Sequence, residues 1–581
     1  MIARFLCHDL FRPYHPTETR QWPEERRHTG QPTAHPSHRG REGATISSLR
    51  QHIREHTNPT VFGVSGLVII AFVVAGIVAT DPLLNAATAT RDWIGEKLGW
   101  IYILATTLFL IIAVVLMLSR FGSVRLGPDD SRPEFGTVAW FAMLFTTGMG
   151  IGLVFWGVSE PIHHLHSPRS SEFIAPEGEL PSPEAASEAL ALSYFHWSFH
   201  PWAIYIALGL SLGYFAFRKG LPLRPASALY PLLGDRAFGW PGNLVDILAV
   251  FGTIFGLATS LGLGTLQING GLNHVFGIPS NSLVQSVIII VITGIALLSV
   301  LSGIDKGIRR LSVINLWLAF ALLVIVFAFG PKLWIISITT TSAGEYLGNL
   351  VSWSLAFPSP LVDEQAATWT TTWPIFYWGW WISWAPFVGI FLARISYGRT
   401  IREFVLGALL APVIVSILWF GVFGGSGLYY ELFGDGAFNG LAEEDRAFHL
   451  MDLLPMGEVV GLIVSVLLII VVAVFFITSS DSGSLVVDTL TSGGDLNPVK
   501  AQRAFWAISE GAVTLILLVL GGTNALSALQ AASVVTGLPF AVILLFMVWG
   551  LLKGLASEPK PGAPKQSRAE DRGSRSASRH D

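Results

Sequence analysis

Cysteine and charge are what this chain has least of. One of its 581 residues is a cysteine, Cys7, which excludes an intramolecular disulfide and a thiolate metal cluster and leaves the redox compartment unread. Charged side chains make up only 13% of the sequence, and a net charge of −4 points to no partner, nucleic acid included. The apolar stretches contain no catalytic dyad and no metal-binding cluster, as a membrane enzyme would require, and neither terminus offers the folded signalling domain of a sensor.

Apolar residues are abundant instead: 51% of the chain is hydrophobic and its mean hydropathy is +0.56. No soluble domain has an interior for that much apolar surface, so the chain is read as an integral membrane protein. Its 20 Trp, 37 Phe and 59 Gly suggest closely packed helices around an aromatic-rich interior.

Twelve apolar stretches are long enough to cross a hydrocarbon core about 30 Å thick as helices. They fall near 61–80, 99–119, 136–158, 190–217, 243–271, 282–302, 308–330, 374–396, 403–428, 457–479, 503–522 and 530–553. On the face shared by the termini lie Arg120, Arg125, Arg132, Arg218, Lys219, Arg224, Arg236, Lys306, Arg309, Arg310, Arg394, Arg399, Arg402, Lys500 and Arg503. The other face has only Arg91, Lys97, Arg169, Lys332 and Arg446, which puts both termini in the cytoplasm and the chain in the inner membrane. Residues 1–58 read as a disordered cytoplasmic arm rather than a signal peptide, and 554–581 as a disordered tail that could touch anionic lipid. Outside, 331–373 has room for an amphipathic helix around Glu345–Ala356.

Three clusters can carry chemistry. The first is Thr146-Thr147-Gly148-Met149-Gly150-Ile151-Gly152, a glycine-rich interruption in the third span. Helix contacts alone do not need three glycines in five positions, whereas unwound carbonyls lining a cavity do. The second is aromatic: six Trp lie between Trp369 and Trp384, and Trp380, Trp381 and Trp384 share one helical face. The fourth span adds Trp197 and Tyr205, about a quarter turn apart on one continuous helix. A trimethylammonium group donates no hydrogen bond and must be held on the faces of such rings, although aromatic stripes are as often core as cage. The third is Phe475 to Ser484, where Thr478 and Ser479 offer hard oxygens to a small alkali cation or simply bond back to their own helix.

Ionisable groups read as less telling. Glu160, Asp246 and Glu510 lie near span ends, where water or a partner reaches them, and His196 and His200 read as packing histidines. No carboxylate is expected within the outer-facing aromatic cluster, which argues for a ligand that brings its own negative charge.

Over residues 60–555 these motifs resemble the betaine/choline/carnitine transporter family. The resemblance is carried by Gly148-Met149-Gly150-Ile151-Gly152, Phe155-Trp156-Gly157, Glu160-Pro161, His196-Trp197, His200-Pro201-Trp202-Ala203-Ile204-Tyr205 and Ser260-Leu261-Gly262-Leu263-Gly264. Phe376-Tyr377-Trp378, Trp380-Trp381-Ile382-Ser383-Trp384, Phe391 to Ser396, and Thr478-Ser479 with Asp481-Ser482 complete it. It implies an all-α, LeuT-like membrane fold of twelve transmembrane helices. Two extra helices (59–135) precede two inverted five-helix repeats (136–330 and 374–553), joined by the periplasmic connection 331–373, in a homotrimer.

The resemblance further implies that Trp197, Tyr205, Trp381 and Trp384 surround the ammonium group, that Trp380 and Phe376 line the path, and that Gly148–Gly152 supplies backbone flexibility. Met149, Phe475, Thr478 and Ser479 would form one sodium site and Thr253 part of a second. Choline-carrying relatives have Asp where Gly152 stands, so Gly152 implies a zwitterion such as glycine betaine. No cofactor is implied, only Na+ as coupling ion. The rival readings are a proton-coupled or sodium-independent carrier of choline or carnitine, and a sodium-coupled carrier of dimethylsulfoniopropionate or ectoine. Three departures stand out. Leu257 occupies a second-site threonine position, Thr146 and Thr147 replace small apolar residues, and Pro559, Pro561 and Pro564 interrupt the tail, so osmotic regulation does not carry over.

Overall fold

The computed structural model describes residues 56–148, 150–176, 179–302, 305–434, 436–495, 499–522 and 525–559. Most of the expected arm and tail, and Met149, lie outside the described residues. Within them the chain is helical and contains no sheet, only an isolated bridge between Arg125 and Thr400.

Ten helical segments are long and apolar enough to cross a membrane. Two come first, α1 (Pro59–Val78) and α2 (Thr80–Leu118). At 39 residues α2 runs about 58 Å, well beyond a bilayer core, because it begins at Thr80, with a single residue between it and α1, rather than near residue 99. Next are four short helices, α3 (Thr137–Gly148), α4 (Ile151–His166), α5 (Pro183–Trp197) and α6 (Phe199–Gly213). They are two interrupted segments, each piece too short to count among the ten. The spans expected at 136–158 and 190–217 are thus each broken.

Long helices α7 (Trp240–Phe276), α8 (Ser282–Ser302) and α9 (Asp305–Phe329) follow, then α10 (Lys332–Ser354), α11 (Glu364–Thr372), α12 (Pro374–Ile395) and α13 (Ile401–Phe433). The short α14 (Arg446–Leu453) leads to α15 (Glu458–Thr491), α16 (Lys500–Gly521) and α17 (Ala525–Ala556). The amphipathic helix expected near Glu345 is α10. It starts earlier, at Lys332, and buries Tyr346, whose hydroxyl accepts from the Phe199 amide at 3.3 Å.

Burial orders the bundle. The apolar window holding α12 is 94% buried and that of α7 is 83%, against 28% for α1 and 22% for α9, which turn apolar side chains such as Leu67, Ile77 and Trp317 outward. Central α12 packs on α6, α7 and α17, and α7 packs on α15 and α17. Glycine makes these crossings close. A Cβ on Gly379 of α12 would stand 3.0 Å from the Val534 Cα of α17, and one on Gly537 would stand 2.6 Å from the Gly379 carbonyl oxygen. Backbone meets backbone here, so no side chain can swing aside. Gly379→Val should therefore cost several kcal/mol of packing and sharply lower the folded yield on size-exclusion chromatography, whereas Gly344→Val, on open surface, should not.

Just past α17 the chain is tied back to the bundle at Glu558. Glu558, 8% exposed, accepts from Arg218 at 2.6 Å, Lys219 at 2.7 Å and the Tyr214 hydroxyl at 2.8 Å. Burial works against its charge, yet these three donors outweigh it and hold the carboxyl down at about 2. A depressed carboxylate stabilises fully above its ordinary value and fades as pH falls toward the folded one. The latch should thus be complete at neutral pH and open only as pH drops from about 4.5 toward 2. Glu558→Gln should speed proteolytic cleavage just beyond residue 559 about tenfold at neutral pH, given 1.5–3 kcal/mol for a charged hydrogen bond.

Candidate functional site: an aromatic cage at two helix breaks

The site forms where both interrupted segments meet α12. Pro201 has no amide hydrogen, so it cannot serve the Trp197 carbonyl one turn back. Ser416 of α13 donates to that carbonyl instead, at 2.9 Å. The helix breaks at Ser198, whose φ and ψ are −108° and −112°. Trp197 and Tyr205 consequently sit on different helices, and the quarter-turn relation expected of them does not hold. They are brought together by Trp381. Its ring lies 4.8 Å from Trp197 and 6.4 Å from Tyr205, edge-on to both, and its Nε1 donates to the His196 carbonyl at 3.0 Å.

On α12 the expected shared face is real. Trp380 and Trp381 stack at 4.5 Å, and Trp384 lies 6.4 Å from Trp380 and 6.2 Å from Trp381, all within 21° of parallel. Phe376 extends the stack below Trp380 at 5.5 Å. Every one of these rings is buried. Two of their polar atoms, the Tyr205 hydroxyl and Trp384 Nε1, are buried with no hydrogen-bond partner. An orphaned buried donor is costly and calls for a partner, which a water, an ion or a ligand can supply.

Gly152, in the first turn of α4, points at the same rings. A Cβ there would stand 2.6 Å from Trp380 and 2.8 Å from Trp197 at their ring ends. Gly148 closes α3 and Gly150 caps α4, so the glycine run is where the third segment breaks.

A family model described as the betaine/carnitine/choline family transporter matches residues 60–560. The chain is 45% identical over 506 residues to glycine betaine transporter 1 of Vibrio parahaemolyticus, covering 86% of this chain and 94% of that protein. It is 42% identical over 522 residues to the glycine betaine transporter OpuD of Bacillus subtilis, covering 88% and 99%. A glycine betaine/proline/choline/ectoine transporter of the same Vibrio is 43% identical over 511 residues, covering 86% and 87%. The chain belongs to this family. It is a transporter, not an enzyme.

The residues expected to hold sodium are only partly brought to the break in this transporter. Phe475 of α15 faces Gly150, whose added Cβ would stand 3.9 Å from it, and Met149 lies outside the described residues. The Thr478 hydroxyl donates to the carbonyls of Val474, at 2.9 Å, and Phe475, at 3.2 Å, and Ser479 follows it on the half-buried face. Back-bonding uses the hydroxyl's proton and leaves oxygen lone pairs for a cation. Thr253 on α7 is buried and back-bonds to Ala249 at 2.8 Å. One turn on, Leu257 is also buried and lies against Gly483 of α15.

Residue-by-residue reading missed the centre behind the cage. Glu160 is fully buried, not solvated at a span end; it accepts from Trp197 Nε1 at 2.6 Å and Tyr377 OH at 2.5 Å, and His196 Nδ1 lies 2.7 Å from its other oxygen. His164 Nε2 lies 3.3 Å from the same carboxylate. A carboxylate does therefore adjoin the aromatic cluster, and its expected absence no longer argues for a zwitterion. His196 is no idle packing residue either, since it both bonds Glu160 and stacks on Tyr377 at 4.5 Å. Glu160, His164 and His196 converge as a metal site would, but Trp369 Nε1 donates to His164 Nδ1 at 3.3 Å. That bond leaves the proton on Nε2, which therefore has no lone pair for an ion.

Proposed function

We propose that this transporter imports a zwitterionic quaternary-ammonium osmolyte, glycine betaine foremost, in symport with sodium. The observation that carries the reading is the pairing, in one buried cluster, of ring faces with two unpartnered donors, Tyr205 OH and Trp384 Nε1. Ring faces suit a methylated ammonium, and the free donors suit a carboxylate on the same small molecule. The names of the relatives support the same substrate class. Gly152 lies against the same rings, which leave no room there for a larger side chain.

Sodium would sit at the break, held by Phe475 and Met149 backbone oxygens with the Thr478 and Ser479 hydroxyls, while Leu257 leaves Thr253 without a second hydroxyl for another ion. Counting α3 with α4 and α5 with α6 as spans adds two to the ten and gives twelve. They are then α1 and α2 followed by two inverted repeats, the first ending at α9 and the second running from α12 to α17. The fifteen basic residues on one face and five on the other support cytoplasmic termini in the inner membrane. The family resemblance supports a homotrimer, and the basic tail supports contact with anionic lipid. In cells lacking osmolyte carriers, expression should confer saturable uptake of labelled glycine betaine, with excess betaine competing far better than choline; uptake of choline in preference would move the reading to a cation carrier.

A further inference from the structure

Glu160 is conspicuous because, among the described residues, no lysine or arginine pairs with it. Four groups lie within hydrogen-bond distance of its two oxygens: His196 and His164 at Oε1, Trp197 and Tyr377 at Oε2. The tryptophan indole can only donate, and His164 carries its proton on the nitrogen facing Glu160. All four contacts are compatible with an ionised carboxylate. Among the described residues no lysine or arginine pairs with Glu160; its ion-pair contacts are His164 and His196 alone. Arg446 reaches the backbone next to Glu160, its Nη1 donating to the Ser159 carbonyl at 3.1 Å. A buried anion without a cation is expensive in a membrane protein and marks a functional position.

Two of the four groups belong to rings at the cage. Trp197 is edge-on to Trp381 at 4.8 Å and to Trp380 at 6.0 Å, and Tyr377 stacks on Trp381 at 5.8 Å. An indole or phenol donating to a carboxylate becomes richer in ring electrons, and the anion's own field reaches across one ring.

Resting on the substrate class proposed above, we propose that Glu160 is the counter-charge of the cage, a positioning residue that holds the ligand's cationic end through Trp197 and Tyr377 without touching it. The same role explains how Gly152 can stay free of any side chain. The negative charge that position 152 has no room for is supplied from behind the rings. An ion pair about 8 Å apart at an effective dielectric near 20 corresponds to a factor of roughly ten to thirty in binding.

The test compares ligands that differ only in charge. Inhibition of labelled betaine uptake is measured with unlabelled betaine, with choline, and with 3,3-dimethylbutanoate, which replaces the quaternary nitrogen of betaine by carbon. In Glu160→Gln, betaine and choline should each weaken at least tenfold while the uncharged-headed isostere is unchanged. Glu160→Asp should recover part of the difference. Equal weakening of all three ligands, or none, would overturn the proposal and leave Glu160 as a structural tie for Trp197 and Tyr377. Direct binding of the same three ligands to purified protein, by quenching of tryptophan fluorescence, gives the answer if the variant no longer transports. Failure of the wild type to take any quaternary ammonium would instead strike the substrate assignment, so the two failures are distinguishable.

Discussion

Trp381→Leu should reduce betaine uptake at least thirtyfold while leaving the protein folded. Among the described residues this ring alone is in direct ring contact with both Trp197 and Tyr205, across the break at Ser198, and it also meets Trp380 and Trp384 on its own helix. A desolvated cation on an aromatic face gains about 2 kcal/mol or more, and its loss corresponds to roughly a thirtyfold change. Leucine fills much of the volume but has no negative face. Trp381→Phe keeps a face and loses the hydrogen bond to the His196 carbonyl, so it should retain partial uptake with a raised KM. Initial-rate uptake, normalised to surface protein, checks both. Equal defects in Leu and Phe would point to packing rather than charge.

Replacing Thr478 by Val together with Ser479 by Ala should sharply weaken the activation of uptake by sodium. Valine has nearly the shape of threonine and removes only the oxygen. The lost bonds to Val474 and Phe475 are within one helix and already satisfied by its ladder, so folding should hold. Removing two of the few hard oxygen ligands of an alkali ion should raise the sodium concentration for half-maximal uptake more than tenfold. Thr478→Ser, which keeps the oxygen, should stay close to the wild type. Because Leu257 already closes the neighbouring position on α7, no second ion is expected to mask the effect.

How much of this was legible in the sequence differs from one element to the next. Uninterrupted spans such as α13 and α17 follow directly from runs of apolar residues, since lipid permits little else. The break at 149–150 was announced by its glycines. The break at Ser198 was signalled only by Pro201, three residues on, and what makes it tolerable is Ser416, a serine more than 200 residues away. The face shared by Trp380, Trp381 and Trp384 was readable because it is local periodicity within one helix. Glu160 was not, because its partners lie 36, 37 and 217 residues distant and a carboxylate beside a proline near a span's end looks solvated until the fold closes over it. The orphaned donors Tyr205 and Trp384 are likewise properties of burial, which no spacing records.

The central claim is that a sodium gradient drives a zwitterion through this cage. It is tested most directly by reconstituting the purified protein in proteoliposomes and following labelled glycine betaine with sodium or with potassium outside. Accumulation above the external concentration only with inward sodium is the predicted result. Equal accumulation in potassium, or simple equilibration in both, would contradict sodium symport.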